Sequence, residues 1–104
     1  MIDRHRMDEL EAEIGAEDLS FILSVYLDEA RAMLDRMGPA LDAKGHARAV
    51  HFLRSGALNM GLRGIAAAAE GAECGGPADR LGCTDCLRRA LSATAEAIRD
   101  RQMA

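Results

Sequence analysis

The stretch DLSFILSVYLDEARAMLDRM, residues 18–37, decides the fold class. Its apolar residues recur every three or four positions and are Leu19, Ile22, Leu23, Tyr26, Leu27, Ala30, Met33, Leu34 and Met37. This spacing puts them on one side of an α-helix that packs against a core. We therefore predict a helix from about Glu17 or Asp18 to Met37. Leu41 stays in phase with this helix, which favours a kinked continuation past Gly38 and Pro39 towards Ala43.

A shorter helix is predicted before this stretch and a longer one after it. Asp3 is a suitable N-cap for a first helix that ends at Ile14, and Gly15 is its stop signal. Lys44 and Gly45 are typical of a turn. A third helix is then expected from about Ala47 to Ala72 or Cys74. Its predicted core positions are Val50, Leu53, Ala57, Met60, Gly64 and Ala67 or Ala68.

The last predicted helix follows a segment rich in glycine. The sequence CGGPADRLGC, residues 74–83, has the composition of a loop. A helix is expected from about Thr84 to Gln102, with Thr84 or Asp85 as its cap. Its apolar side is formed by Leu87, Leu91, Thr94, Ala95 and Ile98.

Composition and length complete the prediction of the fold. The 104 residues include one tyrosine, two phenylalanines and no tryptophan, whereas alanine and leucine are abundant. Such a composition favours helices over strands. We expect residues 1–104 to form a single all-α domain, in which the predicted helices, joined by short turns, pack as an antiparallel up-and-down bundle. The shorter first helix is expected either to pack across one end or to form part of the bundle wall.

Charge and hydropathy exclude several classes of partner. The net charge of −4 is spread along the chain without a basic patch, so no nucleic acid is expected to bind. No apolar run approaches the ~20 residues that cross a bilayer. The N-terminal MIDRHRMDELEAEIG has charges where a signal peptide needs an apolar stretch. We therefore expect a cytoplasmic protein that does not enter a membrane.

The segment HFLRSG, residues 51–56, carries the candidate chemistry. Each residue turns a helix by about 100°, so His51 lies on the flank of the buried stripe and is expected to be exposed. Its imidazole is a nucleophile at neutral pH and can hold a phosphoryl group. Arg54, three residues on, is within reach of that group and can donate two hydrogen bonds to it. Ser55 adds a hydroxyl close to the same position.

Further residues near His51 are predicted to bind a partner. Ala47, Arg48, Leu58 and Leu62 share its helix face, and the two leucines are expected to be exposed apolar contacts. Gly56 has two interpretations. Its lack of a side chain allows either a partner or a neighbouring helix to come close.

The sequence HFLRSGALNMG, residues 51–61, resembles the signature of histidine-containing phosphotransfer (HPt) domains. That signature has a histidine, then a leucine, a lysine, two small residues and a glycine at the positions that Leu53, Arg54, Ser55, Gly56 and Gly61 occupy. Glu73 lies where such domains often carry an acidic residue. The resemblance extends from about Asp18 to Glu73. Arginine replaces the usual lysine, and the usual glycine–serine order is reversed.

The resemblance implies an all-α fold, an antiparallel up-and-down four-helix bundle with an additional short N-terminal helix. It also implies a phosphorelay intermediate. The receiver domain of a hybrid histidine kinase would donate a phosphoryl group from its phosphoaspartate to His51, and the receiver domain of a response regulator would accept it. The chain would be a phosphocarrier without ATP-dependent kinase activity. It would bind no cofactor, because the partner's receiver domain supplies Mg²⁺. A monomer is expected, since the His51 face must stay free.

Two other functions remain open at this point. The chain could be a helical adaptor that binds a signalling partner through the face of His51, Leu58 and Leu62 without phosphorylation. It could also be a metal or redox module that uses Cys74, Cys83 and Cys86. Three cysteines fall short of the four ligands of a structural zinc site, and no sheet is predicted beside the CxxC pair. No metal site is therefore assigned.

Overall fold

The computed structural model describes residues 2–36, 43–73 and 80–103, and this part of the chain contains helices and no strand. The helices are α1 (Arg4–Ile14), α2 (Ala16–Arg36), α3 (Ala43–Met60), α4 (Arg63–Glu73) and α5 (Arg80–Met103). Helix α2 packs against α3 and α5, and α4 packs against the same two helices, so these four form a bundle. Helix α1 packs against α2 and α3. The predicted all-α bundle with an extra N-terminal helix is confirmed.

The first two helices follow the predictions closely. The carboxylate of Asp3 accepts a hydrogen bond from the backbone N–H of Arg6 at 3.2 Å, as an N-cap does. Gly15 ends α1 with a φ of 89° and donates its N–H to the carbonyl of Glu11. Helix α2 begins at Ala16, and its buried side chains are Leu19, Leu23, Tyr26, Leu27, Ala30 and Leu34. The expected end at Met37 and the kink at Gly38 and Pro39 lie outside the described residues.

The predicted third helix is two helices, so that prediction is wrong. Gly61 has a φ of 74°, a left-handed conformation that glycine adopts without strain. The N–H of Leu62 donates to the carbonyl of Ala57 at 2.8 Å, and that of Gly61 to the carbonyl of Leu58 at 3.4 Å. These are the two hydrogen bonds of a Schellman motif, which ends a helix at a glycine and is often followed by a packed apolar residue.

The break changes which residues of α4 face the core. Helix α4 returns along α3, so the three-and-four spacing counted through α3 does not continue into it. Ile65, Ala66 and Ala69 are buried. Of the positions predicted from a continuous helix, Gly64 and Ala68 are half-buried and Ala67 is exposed. Val50, Leu53, Ala57 and Met60 in α3 are buried, as predicted.

Two helices begin four residues earlier than predicted. Helix α3 begins at Ala43 and α5 at Arg80, so the expected turn at Lys44 and Gly45 is helical. The loop prediction for residues 74–83 is wrong from residue 80 onwards, and residues 74–79 lie outside the described part. In each case a glycine is the third residue of the helix. The first N–H groups of a helix have no intrahelical partner, so a glycine there interrupts no established turn.

The early start of α5 changes its cap but not its buried side. Thr84 and Asp85 lie inside the helix and do not cap it, and Asp85 pairs with Arg89 at 3.2 Å. The predicted apolar side faces the core, where Leu87, Leu91, Thr94 and Ile98 are buried and Ala95 is half-buried. None of the described helices has both the length and the apolar character needed to span a membrane.

Helix α1 is fastened to the turn between α3 and α4. The backbone N–H of Asp3 donates to the carbonyl of Gly61 at 2.7 Å, and Arg6 Nε donates to the carbonyl of Asn59 at 2.8 Å. Arg63 donates to the Asp3 carboxylate at 3.4 Å. The first two contacts satisfy carbonyl groups at the end of α3 that have no partner within the helix. Helix α1 is therefore attached at the C-terminal end of α3.

Candidate functional site

The candidate site is built on the middle of α3, where His51 is exposed. Ser55 lies one turn further on, and its Oγ is 3.5 Å from His51 Nε2. At this distance the hydroxyl can donate a weak hydrogen bond to Nε2 when the ring proton is on Nδ1. The imidazole is therefore open to solvent and has a small hydroxyl beside its outer nitrogen. The predicted exposure of His51 is confirmed.

Arg54 lies on the other flank of His51, towards α4. Its side chain is 36% exposed, and its guanidinium NH2 is 3.9 Å from Glu70 Oε1 on α4. Arg54 thus approaches a carboxylate that comes from the neighbouring helix. This closeness is not predicted from the sequence, because a continuous third helix would keep the two residues far apart.

A groove of about 620 Å³ runs along α2 and α3 on the Ser55 side of His51. Exposed apolar side chains line it, and Phe21 is 68% exposed. Glu29 and Arg48 add charges of opposite sign to the lining. The other main lining residues are Val25, Tyr26, Phe52, Ser55 and Gly56. A nucleophilic side chain therefore stands at the edge of an apolar surface.

Tyr26 fixes the floor of this groove. Its hydroxyl donates to the carbonyl of Leu53 at 2.6 Å, and its ring stacks on Phe52 with centroids 6.2 Å apart. Burial of the ring raises the pKa of the Tyr26 hydroxyl, so it remains a donor. A Cβ at Gly56 would lie 2.5 Å from the ring. Gly56 therefore allows α2 and α3 to approach closely, which is the packing interpretation, although it also lines the groove.

The other predicted partner-binding residues are not all on one surface. Ala47 and Arg48 are exposed, and Leu58 is 57% exposed. Leu62 is fully buried, so the expectation that it is exposed is wrong. Its position directly after Gly61 in the Schellman motif turns it into the core. Leu62 is therefore not part of a binding surface.

Several residues of this region were not predicted from the sequence. Phe21 and Val25 lie four residues apart on α2, outside its buried stripe. A pair of large apolar residues off the core-facing side of a helix indicates a contact surface, and this signal was available. Glu70 had no such signal, because its closeness to Arg54 depends on the helix break. Glu73 ends α4, and its side chain lies outside the described residues.

The cysteines add no metal site to the part of the chain that the structure describes. No group of three or more His, Cys, Asp or Glu residues there could hold a metal ion. Cys86 is exposed, and Arg89 lies 3.6 Å from its sulfur. The side chains of Cys74 and Cys83 lie outside the described residues.

Comparison with known proteins gives one finding. A family model described as Hpt domain matches residues 21–98, which are three quarters of the chain. No curated protein and no solved structure matches the chain. The matched region begins in α2, ends in α5 and contains His51.

Proposed function

Because the chain belongs to the Hpt domain family, whose members carry phosphoryl groups in two-component signalling, we propose that it is a phosphorelay intermediate phosphorylated on His51. The donor would be the phosphoaspartate in the receiver domain of a hybrid histidine kinase. The acceptor would be the aspartate of a response regulator. The observation that carries the proposal is the exposed imidazole of His51 at the edge of the groove between α2 and α3.

The chemistry requires little of this chain beyond position and charge. The lone pair of His51 Nε2 attacks phosphorus as the bond to the aspartate oxygen breaks, and the carboxylate leaves with the bonding electrons. The ring proton is lost to solvent. Transfer to the second receiver reverses these steps. Arg54 and Ser55 would donate hydrogen bonds to the phosphoryl oxygens, and Mg²⁺ would come from the receiver domain.

The groove is the surface that we assign to the docking of receiver domains. Its apolar lining can bury against a complementary partner surface, and Glu29 and Arg48 can fix the orientation. Ser55 and His51 lie along one side of it, so a docked partner would have its phosphoaspartate close to the imidazole. We expect a monomer to make this contact in the cytoplasm.

The test is transfer from a purified, phosphorylated receiver domain to the wild-type chain and to His51→Gln. We expect the wild type to gain one acid-labile phosphoryl group and the variant to gain none, with both equally folded by circular dichroism. His5→Gln is the matched control, because His5 is also an exposed helical histidine. We expect it to be labelled like the wild type, and ATP alone to label no variant.

An adaptor without covalent chemistry is the alternative, and the groove itself favours it as a second candidate. The same experiment separates the two functions. A receiver that binds the wild type and His51→Gln equally but labels neither would support the adaptor and contradict the relay. Label retained in His51→Gln would also contradict the assignment of His51.

A further inference from the structure

We propose that Glu70 is a positioning residue that competes with the phosphoryl group on His51 for the guanidinium of Arg54, and thereby shortens the life of the phosphohistidine. The inference rests on the proposed function in one respect, since it takes His51 as the phosphorylated residue. It assigns a role in the relay to a residue of α4 that lies outside the sequence motif around His51.

The fold brings Glu70 to this place. Arg54 and Glu70 are each eight residues from Leu62, where the chain turns back between α3 and α4. In a continuous helix, sixteen residues would separate them by about 24 Å. In the hairpin that these helices form, Arg54 NH2 is 3.9 Å from Glu70 Oε1. The pair therefore exists because of the Schellman turn.

The guanidinium of Arg54 can bind the carboxylate of Glu70 or a phosphoryl group on His51, and binding one weakens its contact with the other. It lies three residues after His51 on the same helix, so a phosphoryl group on His51 is within its reach. A phosphoryl group carries more charge than a carboxylate and offers three acceptor oxygens. Glu70 is 67% exposed, so water screens its attraction for Arg54. Phosphorylation is thus expected to draw Arg54 away, at the expense of its contact with Glu70.

The competition affects the hydrolysis of the phosphohistidine. A water oxygen forms a bond to phosphorus as the bond between phosphorus and Nε2 breaks. The electron pair of the broken bond stays on the imidazole ring. One proton of the water stays on the released phosphate and the other goes to the imidazole. Arg54 stabilises the phosphohistidine before this step, so a residue that holds Arg54 back makes hydrolysis faster. An exposed ion pair changes such a balance by up to about fivefold.

The experiment labels the protein with potassium phosphoramidate, a small donor that needs no partner. Nε2 attacks its phosphorus, the phosphorus–nitrogen bond of the donor breaks, and ammonia leaves with the ring proton. After removal of the donor, the loss of phosphate from His51 is followed by mass spectrometry in four proteins and a control. These are the wild type, Glu70→Gln, Arg54→Ala, the double variant, and Glu96→Gln as control. Glu96 is an exposed carboxylate on α5, which packs against α2 and α4.

We expect the phosphohistidine of Glu70→Gln to live about two- to fivefold longer than that of the wild type. Arg54→Ala should shorten its life, and the double variant should behave like Arg54→Ala. Glu96→Gln should match the wild type. A role of Glu70 in folding alone would change the melting temperature without producing this dependence on Arg54.

Three results would overturn the inference. The first is an unchanged lifetime in Glu70→Gln. The second is an equal lengthening with and without Arg54, which would mean that the carboxylate repels the phosphoryl group directly. The third is failure of phosphoramidate to label His51, which would contradict the proposed function as well. Labelling by phosphoramidate but not by a receiver would contradict the relay alone, and the comparison of lifetimes would still decide the role of Glu70.

Discussion

The contact between Gly56 and the Tyr26 ring determines how closely α2 approaches α3 beside His51. The ring occupies the place where a side chain at residue 56 would stand, and its hydroxyl is bonded to the backbone of α3. A glycine close to His51 therefore has a packing role. Its effect on function would come through the floor of the groove.

We predict that Gly56→Ala destabilises the protein. Alanine is a better helix former by about 1 kcal/mol, but the clash with Tyr26 belongs to the class of overpacking changes that cost about 1–3 kcal/mol. A net loss of about 1 kcal/mol in the free energy of unfolding is expected, measured by urea denaturation. Gly71→Ala is the control, because nothing lies within 4 Å of its added Cβ. It should raise stability slightly, and a similar gain in Gly56→Ala would contradict the prediction.

Single residues could be placed from the sequence where one helix alone decides their exposure. The angle between Val50 and His51 on α3 predicts a buried and an exposed side chain, and both are found. Leu62 could not be placed in this way, because the turn at Gly61 rotates it out of the phase of α3. Gly56 had two interpretations, and only the position of the Tyr26 ring on another helix distinguishes them.

At the scale of the elements, the hairpin of α3 and α4 depends on the left-handed conformation of Gly61. We predict that Gly61→Ala lowers the free energy of unfolding by about 2 kcal/mol. The left-handed conformation costs about 1–2 kcal/mol for a residue with a Cβ, and that Cβ would lie 2.9 Å from the Cβ of Arg6. Urea denaturation beside Gly71→Ala measures the effect. Equal stability of Gly61→Ala and the wild type would show that the turn tolerates a side chain.

The Asp3 carboxylate at the start of α1 leads us to predict how the stability of the fold depends on pH. The backbone N–H of Arg6 and the charge of Arg63 lower the pKa of the Asp3 carboxyl below its usual value. Because the folded pKa is the lower one, the ionised carboxylate stabilises the fold above the unfolded pKa of about 3.9. This contribution is lost as the pH falls through the folded pKa.

Asp3→Asn separates the charge from the cap, since asparagine is also a good N-cap. We expect the variant to melt below the wild type at pH 7, with the difference shrinking as the pH falls below about 4. Thermal melts between pH 7 and pH 2 measure it. Glu13→Gln, at an exposed carboxylate of the same helix, is the control. A difference that stays constant over this range would contradict the role of the charge.

The helices could be predicted where apolar spacing and caps agree, as in α1 and α2. The break between α3 and α4 was missed because the alanines of RGIAAAAEGAE, residues 63–73, fit several helical phases. Gly61 followed by the apolar Leu62 was the available signal. The sequence pattern predicts a turn or loop at Gly45 and Gly82, whereas both lie in the first turns of α3 and α5. Whether a glycine interrupts a helix thus depends on its distance from the helix end.

At the scale of the whole molecule, the groove predicts where a partner binds. Phe21→Ala removes its most exposed aromatic side chain, so we expect weaker binding of a receiver domain with little change in melting temperature. Binding is measured by titration calorimetry. Ile14→Ala is the control, because Ile14 is an exposed apolar residue of α1 outside the groove. Equal affinity of wild type and Phe21→Ala would contradict the assigned docking surface.

The bundle as a whole could be predicted because each long helix has one apolar stripe to bury. The groove could not, since it combines residues of α2 and α3 that are distant in the sequence. The closeness of Arg54 and Glu70 also requires knowledge of how two helices lie side by side. Sequence patterns describe each helix face, while the site depends on how those faces meet.

The two-residue connection between α3 and α4 sets which side chains of the two helices lie opposite each other. One residue inserted there would advance α4 by about 1.5 Å and rotate it by about 100°, which would carry residue 70 off the side that faces residue 54. A substitution that preserves the length of this link leaves that alignment in place. Many surface loops tolerate changes in length. Here the length of the loop determines whether residue 70 faces residue 54, close to His51.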